Sequence, residues 1–274
     1  MFICGQYRLN LKKRTHIMGV LNITPDSFYK ESRITSIKGA LKRADRMVRE
    51  GADILDIGGE STRPGSGPVS EEEELKRVLP VVKAIVREFD VPLSVDTYKS
   101  SVARAVLKEG ASIINDISGL RFDPEMTKSI VSSKAGVVIM HISGKPKTMQ
   151  KNPSYKFLMR EITAFLNKGI KLAVSSGIST KSIIVDPGIG FGKNFPHNIS
   201  IIKKLKQLQK LKKPVLLGLS RKSFIGKILD LPAEERLEGT LAASVISVLN
   251  GAQILRTHDV KETKRAVLVA DALL

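Results

Sequence analysis

Pro214-Val215-Leu216-Leu217-Gly218-Leu219-Ser220-Arg221-Lys222-Ser223-Phe224-Ile225-Gly226 changes character in mid-run. Its apolar start predicts a buried strand, and its second half sets two adjacent cations between hydroxyls. Residues Lys222 to Ile225 then predict the first turn of a helix, whose unsatisfied backbone N–H groups favour an anion. A strand that hands charge to a rim and then becomes a helix is one βα unit. Taken alone, the Arg221-Lys222 pair reads as a salt-bridged loop, so its weight depends on whether similar units recur around it.

Upstream, His16 to Leu21 is a compact apolar run, and Ser36 to Glu50 sets Ile37, Leu41, Ala44, Met47 and Val48 at helical spacing before Gly51 stops it. Ile54 to Ile57 leads through a Gly/Pro loop to a helix from about Ser70 to Phe89, with Glu71 to Glu74 in its first turn, where acids suit the helix dipole. Pro92 to Val95 precedes a helix from Ser100 to Glu109. Ser112 to Ile114, Gly136 to Met140, Ser182 to Val185, Pro214 to Leu217 and Ala252 to Leu255 complete eight strand candidates, and a last helix runs from about Val260 to Leu273. The pattern predicts an α/β protein, a (β/α)8 TIM barrel. A doubly wound open sheet is the alternative, because strand order is invisible in sequence. Eight units without an interior linker favour the barrel, as a single domain over residues 1–274 with residues 1–14 as an N-terminal extension. Within that extension Phe2 to Leu11 predicts a short hairpin or a lid.

A chain of 274 residues with 45 Lys+Arg against 27 Asp+Glu carries a net charge of +18. Such a balance attracts nucleic acid, anionic membranes or small anions. Much of it lies in runs such as Lys203-Lys204-Leu205-Lys206 and Lys210-Leu211-Lys212-Lys213, spaced as the solvent face of a helix. With 5% aromatics and no Trp, platforms for stacking bases are scarce, which argues against nucleic acid as a partner. Cys4 is the only cysteine, so no internal disulfide forms. No apolar run approaches the ~20 residues that span a bilayer, and no leader is evident, so the expectation is a cytoplasmic protein without membrane contact.

Polar residues follow strand after strand: Asn22, Glu60 with Thr62 and Arg63, Asp96, Asn115, His141, Asp186, Arg221 with Lys222, and Arg256 with His258. In a barrel all of them fall on the C-terminal rim, where active sites are built. Each has a plainer explanation: Asp96 and Asp186 as helix caps, Asn22 and Asn115 as turn residues, His141 as a satisfied rim histidine. The set as a whole does not. Lys222, Arg256 and His258 lie where barrels commonly hold phosphate, with Arg63 able to join them. Asp96, Asn115 and Asp186 offer acceptors and an amide suited to a flat heterocycle with several N–H groups. Asn22 offers an oxygen to magnesium alongside phosphate oxygens. Gly188 to Lys193, GIGFGK, fails as a Walker loop because Asn194 stands where Ser or Thr is required, and fails as a dinucleotide fingerprint because its glycines fall at GxGxG. Neither zinc-ligand spacing nor a nucleophile elbow occurs.

In order along the chain, NITPDSF (Asn22 to Phe28), GGESTRPG (Gly58 to Gly65), SVDTYK (Ser94 to Lys99), NDISG (Asn115 to Gly119), MHISGKPKTMQ (Met140 to Gln150), DPGIGFGK (Asp186 to Lys193), SRKSFIG (Ser220 to Gly226) and RTHDV (Arg256 to Val260) resemble the dihydropteroate synthase family of pterin-binding TIM barrels. The resemblance implies a transferase of folate biosynthesis and a sulfonamide target. Its reaction condenses hydroxymethyl-dihydropterin pyrophosphate with p-aminobenzoate to give dihydropteroate and pyrophosphate. Carried over by position, it implies catalytic roles for Asp96, Lys222, Asn22 and Asp26. Pterin is implied at Asp96, Asn115, Asp186, Lys222, Met140 and Phe191. Pyrophosphate is implied at Asn22, Arg63, Arg256 and His258, with Asn22 on Mg2+. For p-aminobenzoate it implies Phe28, Thr62, Arg63, Pro64, Phe191, Lys222 and Ser223. The loops Thr24 to Arg33 and Ser61 to Val69 would close over the site, and a homodimer is implied. Tyr29-Lys30-Glu31-Ser32 departs from the family's common Asp-Gly-Gly, and the expectation is a single-activity form without a pyrophosphokinase portion. The alternative is a methyltetrahydrofolate–corrinoid methyltransferase of the same superfamily, which would share the pterin acids but has little use for four cations together.

Overall fold

The computed structural model describes residues 1–23, 36–63 and 65–274. Strands β1 (Phe2–Cys4) and β2 (Tyr7–Leu9) pair antiparallel across a turn at Gly5, whose φ of +57° suits a residue without a side chain. Then β3 (His16–Asn22) leads to α1 (Ile37–Arg49), β4 (Ile54–Gly58) to α2 (Glu71–Glu88), and β5 (Leu93–Asp96) to α3 (Ser100–Lys108). The alternation continues with β6 (Ile113–Asp116), α4 (Met126–Ser132), β7 (Gly136–Met140), α5 (Leu158–Ser175), β8 (Ile183–Asp186) and α6 (Phe195–Lys203). It ends with β9 (Leu216–Gly218), α7 (Ser223–Leu229), α8 (Leu237–Leu249), β10 (Ile254–Thr257) and α9 (Val260–Ala272). Start signals sit where the sequence puts them: Ser36 and Ser70 accept the backbone N–H groups of Gly39 and Glu73, and Glu71 to Glu74 fill the first turn of α2.

The eight parallel strands order as β8-β7-β6-β5-β4-β3-β10-β9, and a parallel bridge between Val185 and Val215 joins the two ends. The ring is therefore closed. The barrel prediction is borne out against the open sheet.

The continuous apolar strands serve two cores at once, as period 2 requires. Ile17, Leu55, Val95, Ile114, Val137, Val185, Leu217 and Leu255 belong to the core shared with the helices. Met18, Ile54, Ile113, Val138, Ile184, Leu216 and Ile254 form a separate cluster inside the barrel, joined by Phe2, Cys4 and Leu11. The N-terminal segment is thus a hairpin and not a lid, since its apolar side chains plug the barrel at the strands' N-terminal end. A Cβ added to Gly136 would lie 2.6 Å from the Phe2 ring, so β7 starts on a glycine to admit that ring.

Further up the same strands the inward positions turn polar. Asp56 lies beside Ser94, Gly58 beside Asp96, Asp96 beside Asn115, Met140 beside Asp186 and Arg256 beside Gly218. The register gathers on one rim the residues that the sequence scatters over the whole chain. One expectation is corrected away from this rim. The lysine-rich stretch after α6 is a 3-10 helix over Leu205–Leu211, because Leu205, Leu208 and Leu211 recur every third residue and share one edge of a three-per-turn helix. The lysines Lys203, Lys204, Lys206 and Lys210 do face solvent.

Candidate active site

Arg256 occupies the centre of the rim. From β10 its Nε donates to Asp56 Oδ2 at 2.6 Å and its Nη2 to Asp96 Oδ2 at 3.1 Å. Asn115 Nδ2 reaches the same Asp56 oxygen at 3.4 Å. Three strands that neighbour one another in the sheet, β4, β5 and β6, therefore meet here: two acids hold one guanidinium, and an amide donates to the first of those acids. On the other side Lys222 Nζ donates to the Ile189 carbonyl at 2.5 Å and lies 5.0 Å from the centre of the Phe191 ring. Gly218 keeps the gap between them open, since a Cβ there would be 3.8 Å from both Lys222 Nζ and Arg256 Cβ. Gly58 does the same between Asn22 Oδ1 at 3.7 Å and Asp96 Cβ at 3.8 Å.

Three acceptor atoms in this cluster, Asp56 Oδ1, Asp96 Oδ1 and Asn115 Oδ1, are buried without a hydrogen-bond partner. Buried acceptors are normally paired, so a row of three is a demand for donors from outside the chain. The electrostatics point the same way. Burial pushes Asp96 up to about 8, with Asp56 adding like charge and Arg256 opposing. Burial also raises Asp186, against the pull of Lys222, and lowers Lys222 to about 8, against the pull of Asp186. For Arg256 burial works against the charge, but Asp56 and Asp96 outweigh it and hold the guanidinium protonated. The site holds its own charges poorly and would hold them better with a polar ligand in place.

Beside this cluster, His258 bonds Ser220 twice, through its backbone N–H at 3.2 Å and its Nδ1 at 3.0 Å. Burial and Arg256 push its imidazole down to about 3, so it is neutral at ordinary pH. Arg43, on α1, donates to the His258 carbonyl at 3.2 Å. Arg221 turns away from the rim: its guanidinium grips Asp259 at 2.9 and 2.8 Å and the carbonyls of Ala233 and Glu234 at 3.0 and 2.6 Å. The salt-bridged loop expected for the Arg-Lys pair thus describes Arg221, while Lys222 at the N-cap of α7 keeps its place at the site, with Ser223 exposed on the first turn.

Several plainer explanations are settled by geometry. Asp96 caps no helix, because Lys99 holds the N-cap position of α3. Asp186 accepts the Gly188 N–H at 2.7 Å and so shapes the β8–α6 loop, in which Gly188, Gly190 and Gly192 all have positive φ. His141 is a structural residue: its Nδ1 meets Lys193 Nζ at 2.9 Å, its ring packs 4.6 Å from Phe165, and burial with Lys193 holds its pKa down to about 2. Met140 is buried at the end of β7. Thr62 and Arg63 lie in the loop after β4, whose Gly65 N–H donates to Pro146 O at 3.3 Å. Asp26, Phe28, Pro64 and the Thr24 to Arg33 loop lie outside the described residues. Asp56 is the residue that sequence reasoning missed, and its only signal was a lone acid within the apolar run Ile54-Leu55-Asp56-Ile57.

A family model described as pterin binding enzyme matches residues 18–258. A dihydropteroate synthase of Bacillus subtilis (strain 168) is 46% identical over 266 residues, which cover 97% of this chain and 91% of the relative. The crystal structure of the Yersinia pestis dihydropteroate synthase with a sulfonamide drug complex superposes with a TM-score of 0.95 at 43% identity, covering 99% of this chain and 98% of that one. That of a Clostridium difficile dihydropteroate synthase in the presence of pteroic acid gives a TM-score of 0.89 at 43% identity, covering 100% and 99%. These relatives are synthases, and the methyltransferase alternative is not favoured.

Proposed function

From the premise that the chain belongs to the dihydropteroate synthase family of pterin-binding enzymes, we propose how its rim residues divide the substrates between them. The chain is a transferase that condenses hydroxymethyl-dihydropterin pyrophosphate with p-aminobenzoate, yielding dihydropteroate and pyrophosphate. The observation that carries the division is the row of partnerless acceptors on Asp56, Asp96 and Asn115. A pterin edge carries the N–H groups they lack, so the ring lies against Asp96, Asn115 and Asp186, with Lys222 as donor and Met140 and Phe191 as apolar walls. Asp56, which holds Arg256, joins that set. The p-aminobenzoate half lies toward Phe191, Lys222, Ser223, Thr62 and Arg63, with Phe28 and Pro64 assigned there by family pattern alone. The synthase of Clostridium difficile has been crystallised in the presence of pteroic acid, which supports placing both halves in one site.

Pyrophosphate lies toward Asn22, Arg63, Arg256 and His258. Magnesium fits the donors present: among the described residues no three His, Cys, Asp or Glu form a metal cluster, but this ion takes few protein ligands and one amide oxygen from Asn22 suffices beside phosphate oxygens. When bound it neutralises charge on the pyrophosphate. In the reaction the aniline nitrogen forms a bond to the pterin methylene carbon. The carbon–oxygen bond breaks, its electron pair leaves with pyrophosphate, and the nitrogen loses a proton. Arg256 and Lys222 offset the negative charge of the leaving group, and the carboxylates of Asp96 and Asp186 offset positive charge left on the pterin. The loops 24–33 and 61–69, with Asp26 on the first, would exclude water from that centre.

Pterin pyrophosphate, labelled p-aminobenzoate and magnesium are expected to yield labelled dihydropteroate, and chelation of the metal is expected to abolish the yield. Product at the level of an enzyme-free blank would reject the assignment. Binding of sulfonamides in place of p-aminobenzoate follows from the same division.

We place the chain in the cytoplasm, in keeping with the lack of any membrane-length apolar helix among the described residues. It acts as a homodimer. Ile228 (57% exposed), Ile246 (49%), Leu268 (53%) and Val269 (62%) stand on the successive helices α7, α8 and α9 and offer a second copy an apolar face. Sedimentation is expected at twice the 30.0 kDa chain mass, and Ile246→Glu with Leu268→Glu is expected to halve it. A wild-type monomer at micromolar concentration would remove the dimer.

A further inference from the structure

One carboxylate ties together the two feet of the loop after β4. Glu60, 7% exposed, stands at the near foot of that loop. Its Oε2 accepts the backbone N–H of Val69, at the far foot, at 3.2 Å and Lys99 Nζ at 2.5 Å. Its Oε1 accepts the Tyr98 hydroxyl at 2.6 Å. Tyr98 and Lys99 follow closely on Asp96 at the end of β5, so the same carboxylate ties both feet of the loop to the strand that carries the site's central acid. Behind the loop lies a cavity of about 650 Å3, lined in part by Ser66, Pro68, Tyr98, Lys99 and Phe122. The clamp acts on the loop's feet, while the Gly65 N–H bond to Pro146 O holds its middle.

We propose that Glu60 is a positioning residue for p-aminobenzoate: it fixes the loop that carries Thr62 and Arg63 at a set distance from Asp96. The inference rests on the assignment of that loop to p-aminobenzoate. Its charge balance makes the role separable from stability. Lys99 Nζ also contacts Glu74 Oε2 at 2.5 Å, and the three side chains are only 11%, 4% and 1% exposed, so two nearly buried carboxylates share one ammonium. Glu60→Gln removes the surplus negative charge and keeps the shape. A single amide oxygen cannot serve all three donors, so the loop loses part of its hold while the core loses nothing. Lys99→Met does the reverse, leaving two buried acids face to face.

Steady-state kinetics of Glu60→Gln are expected to show KM for p-aminobenzoate raised about tenfold, with the dissociation constant of the pterin pyrophosphate within about twofold of wild type. Its Tm is expected to stay within about 2 °C of wild type, whereas that of Lys99→Met falls by several degrees. An unchanged KM, an equal rise for both substrates, or a Tm loss as large as that of Lys99→Met would each overturn the proposal. Arg63→Ala and Thr62→Ala separate the two levels. If neither alters KM for p-aminobenzoate, the loop assignment itself fails; if either raises it and Glu60→Gln does not, only the clamp fails.

Discussion

Asp96→Asn is expected to lower kcat/KM for dihydropteroate formation by about 1,000-fold or more while the chain stays folded. The size follows from what the substitution reverses. When ionised, Asp96 offers two acceptor oxygens in a buried position, one bonded to Arg256 at 3.1 Å and one without a partner. Asn in its place turns an N–H toward ligand N–H groups or toward the guanidinium, so a buried contact becomes a donor–donor clash. The fold is spared because Arg256 keeps its 2.6 Å bond to Asp56. Stability even moves the other way with pH. The Asp96 carboxyl rises from 3.8 to about 8 in the folded chain through burial, so between those values the folded state binds more protons than the unfolded state. Wild-type stability therefore declines as pH rises through that window, and Asn, which has no proton to lose, escapes the decline. Melting curves at pH 5 and pH 8 are expected to show Asp96→Asn gaining on wild type at the higher pH. Wild-type turnover in the variant would remove Asp96 from the chemistry.

Lys222→Met is expected to cost about 1,000-fold in kcat/KM, because the proposed division of the site sets one ammonium between both substrates and the leaving group. Its charge is precarious. Burial lowers Lys222 to about 8 in the substrate-free chain, so kcat/KM is expected to fall as pH rises above about 8, where the amine goes neutral. Lys222→Arg keeps a charge that does not titrate in this range, so its residual activity is expected to persist to higher pH. Rates from pH 6.5 to 9.5 test this. A wild-type profile that stays level to pH 9.5, or a Met variant with wild-type rate, would refute the role.

Much of this site was legible because a βα repeat announces its own rim. Asn22, Asp96, Asn115, Asp186, Lys222, Arg256 and His258 each follow an apolar run, and the barrel register places those runs side by side. Asp56 was not legible for a reason of period. A strand buried on both faces shows no alternation, so nothing in Ile54-Leu55-Asp56-Ile57 marks Asp56 as an inward residue two steps below the rim. The partners of Arg256 were hidden by distance along the chain, since Asp56 and Arg256 meet only when β10 pairs with β3, the first strand of the barrel. The clamp on Glu60 was hidden likewise, because Tyr98, Lys99 and Val69 converge through tertiary contacts that no local pattern encodes.

The N-terminal plug imposes an order on assembly. Phe2 and Cys4 precede in the chain all that they rest against: they pack on Gly136 of β7, Gly5 N–H donates to Lys134 O at 3.1 Å, and β1 also touches the turn at Thr180–Ser182. All of these partners are translated much later. These apolar residues of the hairpin find their cover only once more than half of the barrel exists to receive them. Their docking needs the middle strands to have come together, so the hairpin is a late seal on the barrel floor.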